Sequence, residues 1–529
     1  MRLVLRGSKG SPGRAGRAWR STRVGAFVAG LNGQPERLND LAERFPRRQR
    51  RWQLLCLSGV TLVALAVRIP LLGDGYAAPD TSQYLEVAHH VFQGGFPDNL
   101  RPPGFAFLLA LFDAIGADPV TAVVLLQNLI GIVLPAGILL IGWRFFSPAV
   151  GIMAGFLAAA SPLMIITEQL ALADYLFGVL LLIGTALLAE AALRVRAGRA
   201  PRGLLIGVGA TFAIATLFRA NGLLALVAMP IVLLIAARQW RSALRGAAIS
   251  LTAMIVVLAP WSLHNLIRFG DPNIASEGGV SLYARVITWD AVPPPADSPA
   301  GELALSIYNT AEPGEPGAPR SGLPTTALFN TLILEGRSPG EASALMGGLA
   351  REAVFEYPDI YLENTWAILK RFRSLYDPRA LGPEPNRDHI AATRHYFQYL
   401  NLPDNVGEAP IENLQARRLP GDSIATRAPW QAAQALTRIL YLITIGGALI
   451  LLLPFLGAPP RRLAATAFLA VLLLGFVGGS LTAVFSLRYG LMFAPMIWVV
   501  LAAAAMLIVE VLVAVVRQRA WRRPQGAAS

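Results

Sequence analysis

Long apolar runs dominate the chain, at about 53–73, 119–143, 149–166, 172–192, 203–218, 221–237, 246–264, 434–456, 463–485 and 489–515. A helix of roughly 20 such residues crosses a hydrocarbon core of about 30 Å, so about ten spanning helices are predicted. An eleventh run, 104–116, is shorter, and whether it crosses decides the side on which every later loop lies. Two stretches interrupt the pattern. In the first, 74–118, apolar residues at 84, 88, 91 and 92 have the spacing of an amphipathic helix lying along a membrane surface. The second, 265–433, is rich in Pro and Gly and holds most of the acidic residues. Its helical patterns near 341–357 and 359–374 make it long enough for a small folded domain. The expected fold class is an all-α polytopic membrane protein, with no internal repeat of the transporter kind.

Composition agrees with this pattern. Of the 529 residues, 54% are hydrophobic and 15% charged, with a mean hydropathy of +0.50. A soluble chain of this length needs more charge to cover its surface. The net charge of +13 sits in the N-terminal arm, in short loops and at the C-terminus, a positive-inside distribution rather than a nucleic-acid patch. That distribution also settles 104–116. If this run does not cross and the N-terminus is cytoplasmic, then Arg194, Arg196, Arg199 and Arg202 lie on the cytoplasmic side. So do Arg238, Arg241, Arg245, Arg461, Arg462 and the 517–523 tail. If it crosses, the first two loops flip outward, against the rule. The expected division is therefore a basic arm at 1–52, a transmembrane module at 53–264 with an outer loop at 74–118, an outer domain at 265–433, further spans at 434–515 and a basic tail at 516–529. The stretch Val24–Leu31 is too short to span and carries no convincing cleavage site, so no signal peptide is read. Cys56 is the only cysteine, which leaves neither an intrachain disulfide nor a Cys-based zinc site.

The candidate chemistry gathers at the outer ends of the spans. Asp80 opens an amphipathic segment with Gln83 three residues on. That spacing reads as a routine capping box, or as a general base at the membrane–water boundary that takes a proton from an attacking hydroxyl. Arg219 and Arg488 lie at outer span ends, where the positive-inside rule disfavours them. A guanidinium there either snorkels to headgroups or forks onto a lipid phosphate. Arg101, stiffened by Pro102 and Pro103, has the same two readings. Asp174 stands at the outer end of a span, where a carboxylate is costly unless it is functional, paired or snorkelling. His89 and His90 are adjacent, so at most one faces a site. His264 reads as a helix-end histidine bonding backbone, or as a contact to a metal or donor phosphate. The chain has no Walker A loop and no arrangement of a catalytic triad, so a nucleotide-sugar site is unsupported.

These motifs together carry a family resemblance. Asp80-x-x-x-Tyr84-x-Glu86-x-Ala88 followed by Arg101-Pro102-Pro103-Gly104 resembles the first outer loop of the GT-C glycosyltransferases of the protein-O-mannosyltransferase, aminoarabinose-transferase and galacturonosyl-transferase type (glycosyltransferase family 39-like). Ser161-Pro162 and then Ala173-Asp174-Tyr175-Leu176-Phe177 are similar to the second outer loop. Phe218-Arg219-Ala220-Asn221-Gly222 resembles a Thr-Arg-Pro-Glu-Gly turn, with Pro-Glu replaced. Pro260-Trp261-Ser262-Leu263-His264-Asn265, with Phe269-Gly270 and 278–283 after it, is similar to a Pro-Trp-x-x-Arg-Asn…Gly-Gly-Asn-Leu-Tyr segment, His264 standing for Arg. Arg488-Tyr489 matches an Arg-Tyr pair before the last span.

The resemblance implies a GT-C-like fold and an inverting transfer of a sugar from a polyprenyl-phosphate donor to a lipid, glycan or protein acceptor. It implies Asp80 as the catalytic base, with Arg101, Arg219, Arg488 and Tyr84 binding the lipid-linked donor. Acidic residues of the second loop, Asp174 with Glu168 in reserve, are implied to shape the site, a divalent metal cation being one option there and His264 a further contact to it. It also implies a multi-pass protein of a bacterial inner membrane with its site facing the periplasm. Two rival classes share the many spans. A flippase or transporter would place ionisable residues at the bilayer midplane, and a ligase or polymerase would use a diphosphate carrier.

Overall fold

The structure, a computed structural model, describes residues 46–72, 79–310 apart from a few loop positions, 323–371, 459–482 and 492–521. Every element among them is helical. In chain order they are α1 (Pro46–Arg68), α2 (Pro79–Val91), α3 (Pro103–Ala114), α4 (Pro119–Phe145), α5 (Pro148–Ala159), α6 (Pro162–Gln169), α7 (Ala173–Arg196) and α8 (Arg202–Phe218). A short 3-10 turn, Ala220–Leu224, leads into α9 (Ala225–Ala236) and α10 (Trp240–Phe269). Then come α11 (Glu277–Tyr283), a π-turn (Ala284–Trp289), α12 (Pro299–Thr310), α13 (Leu323–Leu334), α14 (Pro339–Glu356), α15 (Pro358–Arg371), α16 (Pro459–Thr482) and α17 (Ala494–Trp521).

Most of these helices begin on proline. Its missing N–H is one the first turn leaves unbonded anyway, and its fixed φ suits the first helical position. The side chains of Asp118, Ser147 and Ser161 cap the helices that follow them, accepting from Thr121 N (2.9 Å), Val150 N (3.2 Å) and Met164 N (3.3 Å). Gly270 ends α10 with φ 72°, a left-handed turn that glycine adopts without a Cβ penalty.

Among the described residues, four helices are long and apolar enough to cross a membrane: Arg50–Leu71, Pro119–Phe145, Ala173–Arg196 and Trp240–Phe269. Other expected spans are shorter as helices. The run 149–166 is not one helix but two, α5 and α6, because Pro162 cannot continue the ladder and Ser161 starts a new helix. The runs 203–218 and 221–237 give helices of 17 and 12 residues. The described parts of the runs 463–485 and 489–515 fall largely in α16 and α17, whereas 434–456 lies outside the described residues. The ambiguous run 104–116 forms the 12-residue α3, about 18 Å long at 1.5 Å per residue and too short to cross.

Small residues let the helices approach closely. A Cβ on Gly142 of α4 would stand 2.7 Å from the Cα of Gly151 in α5, and one on Gly209 of α8 would collide with the Ser250 carbonyl of α10. In a bilayer, where apolar burial gives helices little reason to associate, this fit supplies much of the cohesion. Val123, Phe177, Leu182 and Phe212 pack inward, and Leu62, Val133 and Ile255 stay exposed on the outside of the bundle. A second core forms within 277–361 around Tyr283, Ile287, Leu328, Met346 and Ala350. Inside it Arg285 is fully buried and ion-paired with Asp290.

Candidate active site

The helix α2 begins at Pro79, so Asp80 lies within the first helical turn rather than in front of it. Gln83 is not folded back as in a capping box. Its Oε1 accepts from Nε and Nη2 of Arg101, at 2.8 and 2.6 Å. The same guanidinium reaches Asp80 Oδ1 at 3.3 Å and Glu277 Oε2 at 3.5 Å. It also lies over the Tyr84 ring, 5.1 Å from its centroid, and that ring meets Phe105 edge-on at 5.0 Å. Burial raises the Tyr84 hydroxyl above its usual pKa, against the opposing pull of Arg101 and Arg219. Burial alone would lower Arg101, but Asp80 and Glu277 hold it well above its ordinary value. The first-loop residues therefore form one cluster around one cation.

The second cluster adjoins it. Thr81 Oγ1 donates to the Ala171 carbonyl at 2.9 Å and ties the start of α2 to the approach of α7. Asp174, buried in the first turn of α7, accepts from Arg219 Nη1 at 2.7 Å. Arg219 has an extended backbone between α8 and the 3-10 turn. Gly104 in α3 meets the Leu217 carbonyl so closely that an added Cβ would stand 2.7 Å from it. That contact packs the Arg-Pro-Pro-Gly turn against the end of α8, beside Arg219. Asp80, Tyr84, Arg101, Asp174 and Arg219 thus share one end of the bundle.

Other expected site residues lie elsewhere. Glu168 is fully buried and pairs bidentately with Arg68 of α1, at 2.7 and 2.8 Å. Arg68 donates further to the Ala159 carbonyl at 2.7 Å, so both Glu168 oxygens are committed to an internal brace. His264 stacks on Trp261 (centroids 4.9 Å apart, planes at 14°) with Phe96 and Phe269 around it. Its Nδ1 lies 3.4 Å from Asn265 Oδ1, within an aromatic cluster rather than a ligand set. His90 faces Glu86 at 3.2 Å, and the exposed His89 lies near Gln93. Arg488 lies outside the described residues.

Asp80 and Asp174 are each engaged by a guanidinium, and among the described residues no three His, Cys, Asp or Glu side chains converge. Of the residues expected near a divalent cation, Glu168 faces Arg68 and His264 faces an indole.

Sequence reasoning passed over three participants. The spacing of Gln83 suggests only a cap, and nothing in the spacing around Glu277 points to Arg101. Arg68 did carry a signal, an arginine at the outer end of a predicted span, the same anomaly that singled out Arg219.

Residues 100–264 match the model of the family described as dolichyl-phosphate-mannose-protein mannosyltransferase. The match includes Arg101, Asp174, Arg219 and His264 and stops short of Asp80 and Glu277. Among solved structures, the archaeal oligosaccharyltransferase AglB from Archaeoglobus fulgidus, in complex with an inhibitory peptide and a dolichol-phosphate, is 13% identical with a TM-score of 0.45, covering 91% of this chain and 53% of that one. An oligosaccharyltransferase of the same organism in complex with Zn and sulfate is 12% identical with a TM-score of 0.44, covering 89% and 52%. ArnT from Cupriavidus metallidurans bound to undecaprenyl phosphate is 14% identical with a TM-score of 0.34, covering 86% and 77%. The chain spans about half the length of the oligosaccharyltransferases it matches. No curated protein matches it. The similarity to the dolichyl-phosphate-mannose-protein mannosyltransferase family thus covers residues 100–264 of this chain.

Proposed function

We propose that this chain transfers a sugar from a polyprenyl-phosphate carrier to an acceptor hydroxyl on a lipid, glycan or protein at the outer face of a bacterial inner membrane, with inversion at the anomeric carbon. The observation that carries the reading is the convergence of Asp80 and Arg101 with the buried Asp174–Arg219 pair at one end of a membrane-type helical bundle. Asp80 is partly exposed, at 17%, in the first turn of a helix, where the dipole favours negative charge.

In this mechanism the acceptor oxygen attacks the anomeric carbon while its proton passes to Asp80. The bond from that carbon to the phosphate oxygen breaks on the opposite side, and the carrier leaves as polyprenyl phosphate. The negative charge on that leaving group needs preorganised cations. Arg219 and Arg488 serve there, and Asp174 orients Arg219. Tyr84 supports Arg101 beside the base. A small apolar cavity beside the turn that follows Arg219 is lined by Phe177, Leu181, Phe212, Asn221, Val471 and Phe493.

The test is Asp80→Asn in purified protein reconstituted with a labelled polyprenyl-phosphate sugar and an acceptor extract. Loss of a positioned base lowers turnover by about 10²–10⁴, with the folded fraction unchanged. Near-normal turnover of the variant refutes Asp80 as the base. Movement of the labelled lipid across the vesicle without acceptor points instead to a flippase, and transfer only from diphosphate donors points to a ligase or polymerase.

A further inference from the structure

One guanidinium stands between two carboxylates in this site, and the second belongs to a distant part of the chain. The short bonds of Arg101 go to the neutral Gln83, at 2.8 and 2.6 Å, while Asp80 and Glu277 flank it at 3.3 and 3.5 Å. The backbone fixes this placement. Ser276 N donates to the Asn99 carbonyl at 2.8 Å and Glu277 N to the Leu100 carbonyl at 3.0 Å. Asn99 Nδ2 and Ser276 Oγ both donate to Asp271 Oδ2, at 3.3 and 2.8 Å. Residues 99–101 and 276–277 are thus sewn together, and Glu277 is delivered to Arg101 by main-chain bonds rather than by a roaming side chain. An ordinary surface ion pair contributes little, but here the shared guanidinium is only 16% exposed.

We infer that Glu277 is a positioning residue that competes with Asp80 for the Arg101 guanidinium, so that the base shares this cation with a second carboxylate. The inference rests on the proposed role of Asp80. A carboxylate closed tightly onto a guanidinium is a poor proton acceptor. One that shares its guanidinium with a second carboxylate retains more basicity. Among the described residues, the charged and titratable groups around Asp80 include Arg101 from the loop before α3, Tyr84 on α2, Glu277 at the start of α11, and the Asp174–Arg219 pair of α7 and the α8 end. Of these, only Glu277 competes with Asp80 for Arg101 from outside the transmembrane bundle.

The experiment measures transfer by reconstituted wild type, Glu277→Gln, Glu277→Asp and Arg101→Gln between about pH 5 and 9, with Asp80→Asn as a control. In Glu277→Gln, Arg101 closes onto Asp80. The acidic limb of kcat/KM moves to lower pH by about one unit, kcat on the plateau falls about tenfold, and KM for the lipid donor stays within about twofold. Glu277→Asp restores most of the rate. Arg101→Gln moves the same limb the other way, to higher pH, a reversal of sign that does not depend on the folding of Glu277→Gln. A lower rate with an unmoved limb in Glu277→Gln, a change confined to KM, or an unmoved limb in Arg101→Gln overturns the inference. If wild type fails to transfer or Asp80→Asn remains active, it is the reading of Asp80 that fails. If both controls behave and only the limb is unmoved, Glu277 alone is misassigned.

Discussion

Arginine at the outer end of a span has two physically distinct fates in this chain. Arg219 pairs with Asp174 beside the first loop, partly exposed at 13%, where a phosphate can compete for it. Arg68 is buried completely, its guanidinium spread over both oxygens of Glu168 and a backbone carbonyl. A side chain in that state is a brace. Breaking a buried pair leaves an uncompensated charge and costs about 3–5 kcal/mol, whereas replacing both partners with apolar residues is often close to neutral. Arg68→Met should therefore destabilise the protein by about that amount, and Arg68→Met with Glu168→Met should recover most of it. Thermal unfolding in detergent reads both. A single variant as stable as wild type removes the bracing role. Both lie at outer ends of predicted spans, and position alone gives no means of telling them apart, because the difference lies in which carboxylate each one meets.

At the level of elements, periodicity and proline placement made the helices legible, and their ends followed from capping chemistry. What remained illegible was the break inside 149–166, where the apolar pattern continues but Pro162 and Ser161 divide it. Equally hidden was which small residues make contacts. Gly151 in α5 lies against Leu139 and Trp143 of α4, whereas Gly137 on α4 faces open space. Gly151→Leu should push the two helices apart and lose about 1–3 kcal/mol, seen as a lower melting temperature, while Gly137→Ala should leave it unchanged. Equal effects of the two substitutions contradict the close packing of α4 and α5.

The molecule as a whole joins the helical bundle to a second core through the seam of 99–101 and 276–277. The proposed reaction requires that this end of the bundle face away from the cytoplasm. In a Cys56→Ser background, a membrane-impermeant maleimide added outside should label Gln93→Cys, on the exposed end of α2, and should spare Arg199→Cys in the loop between α7 and α8. The reverse pattern puts the candidate base on the cytoplasmic side and ends the glycosyltransferase mechanism proposed above.

The sequence by itself determined that this is a helical membrane protein with its candidate site residues at the helix ends, because hydropathy, arginine distribution and local capping act over a few residues at a time. The motif residues Asp80, Tyr84, Arg101, Asp174 and Arg219 could be named from it for the same reason. Only the tertiary structure decided which charges neutralise one another: Asp174 with Arg219, Glu168 with Arg68, and Glu277 with Arg101 across 176 positions of chain. Ion pairing acts through space between side chains brought together by packing, and no local pattern in the sequence encodes that distance.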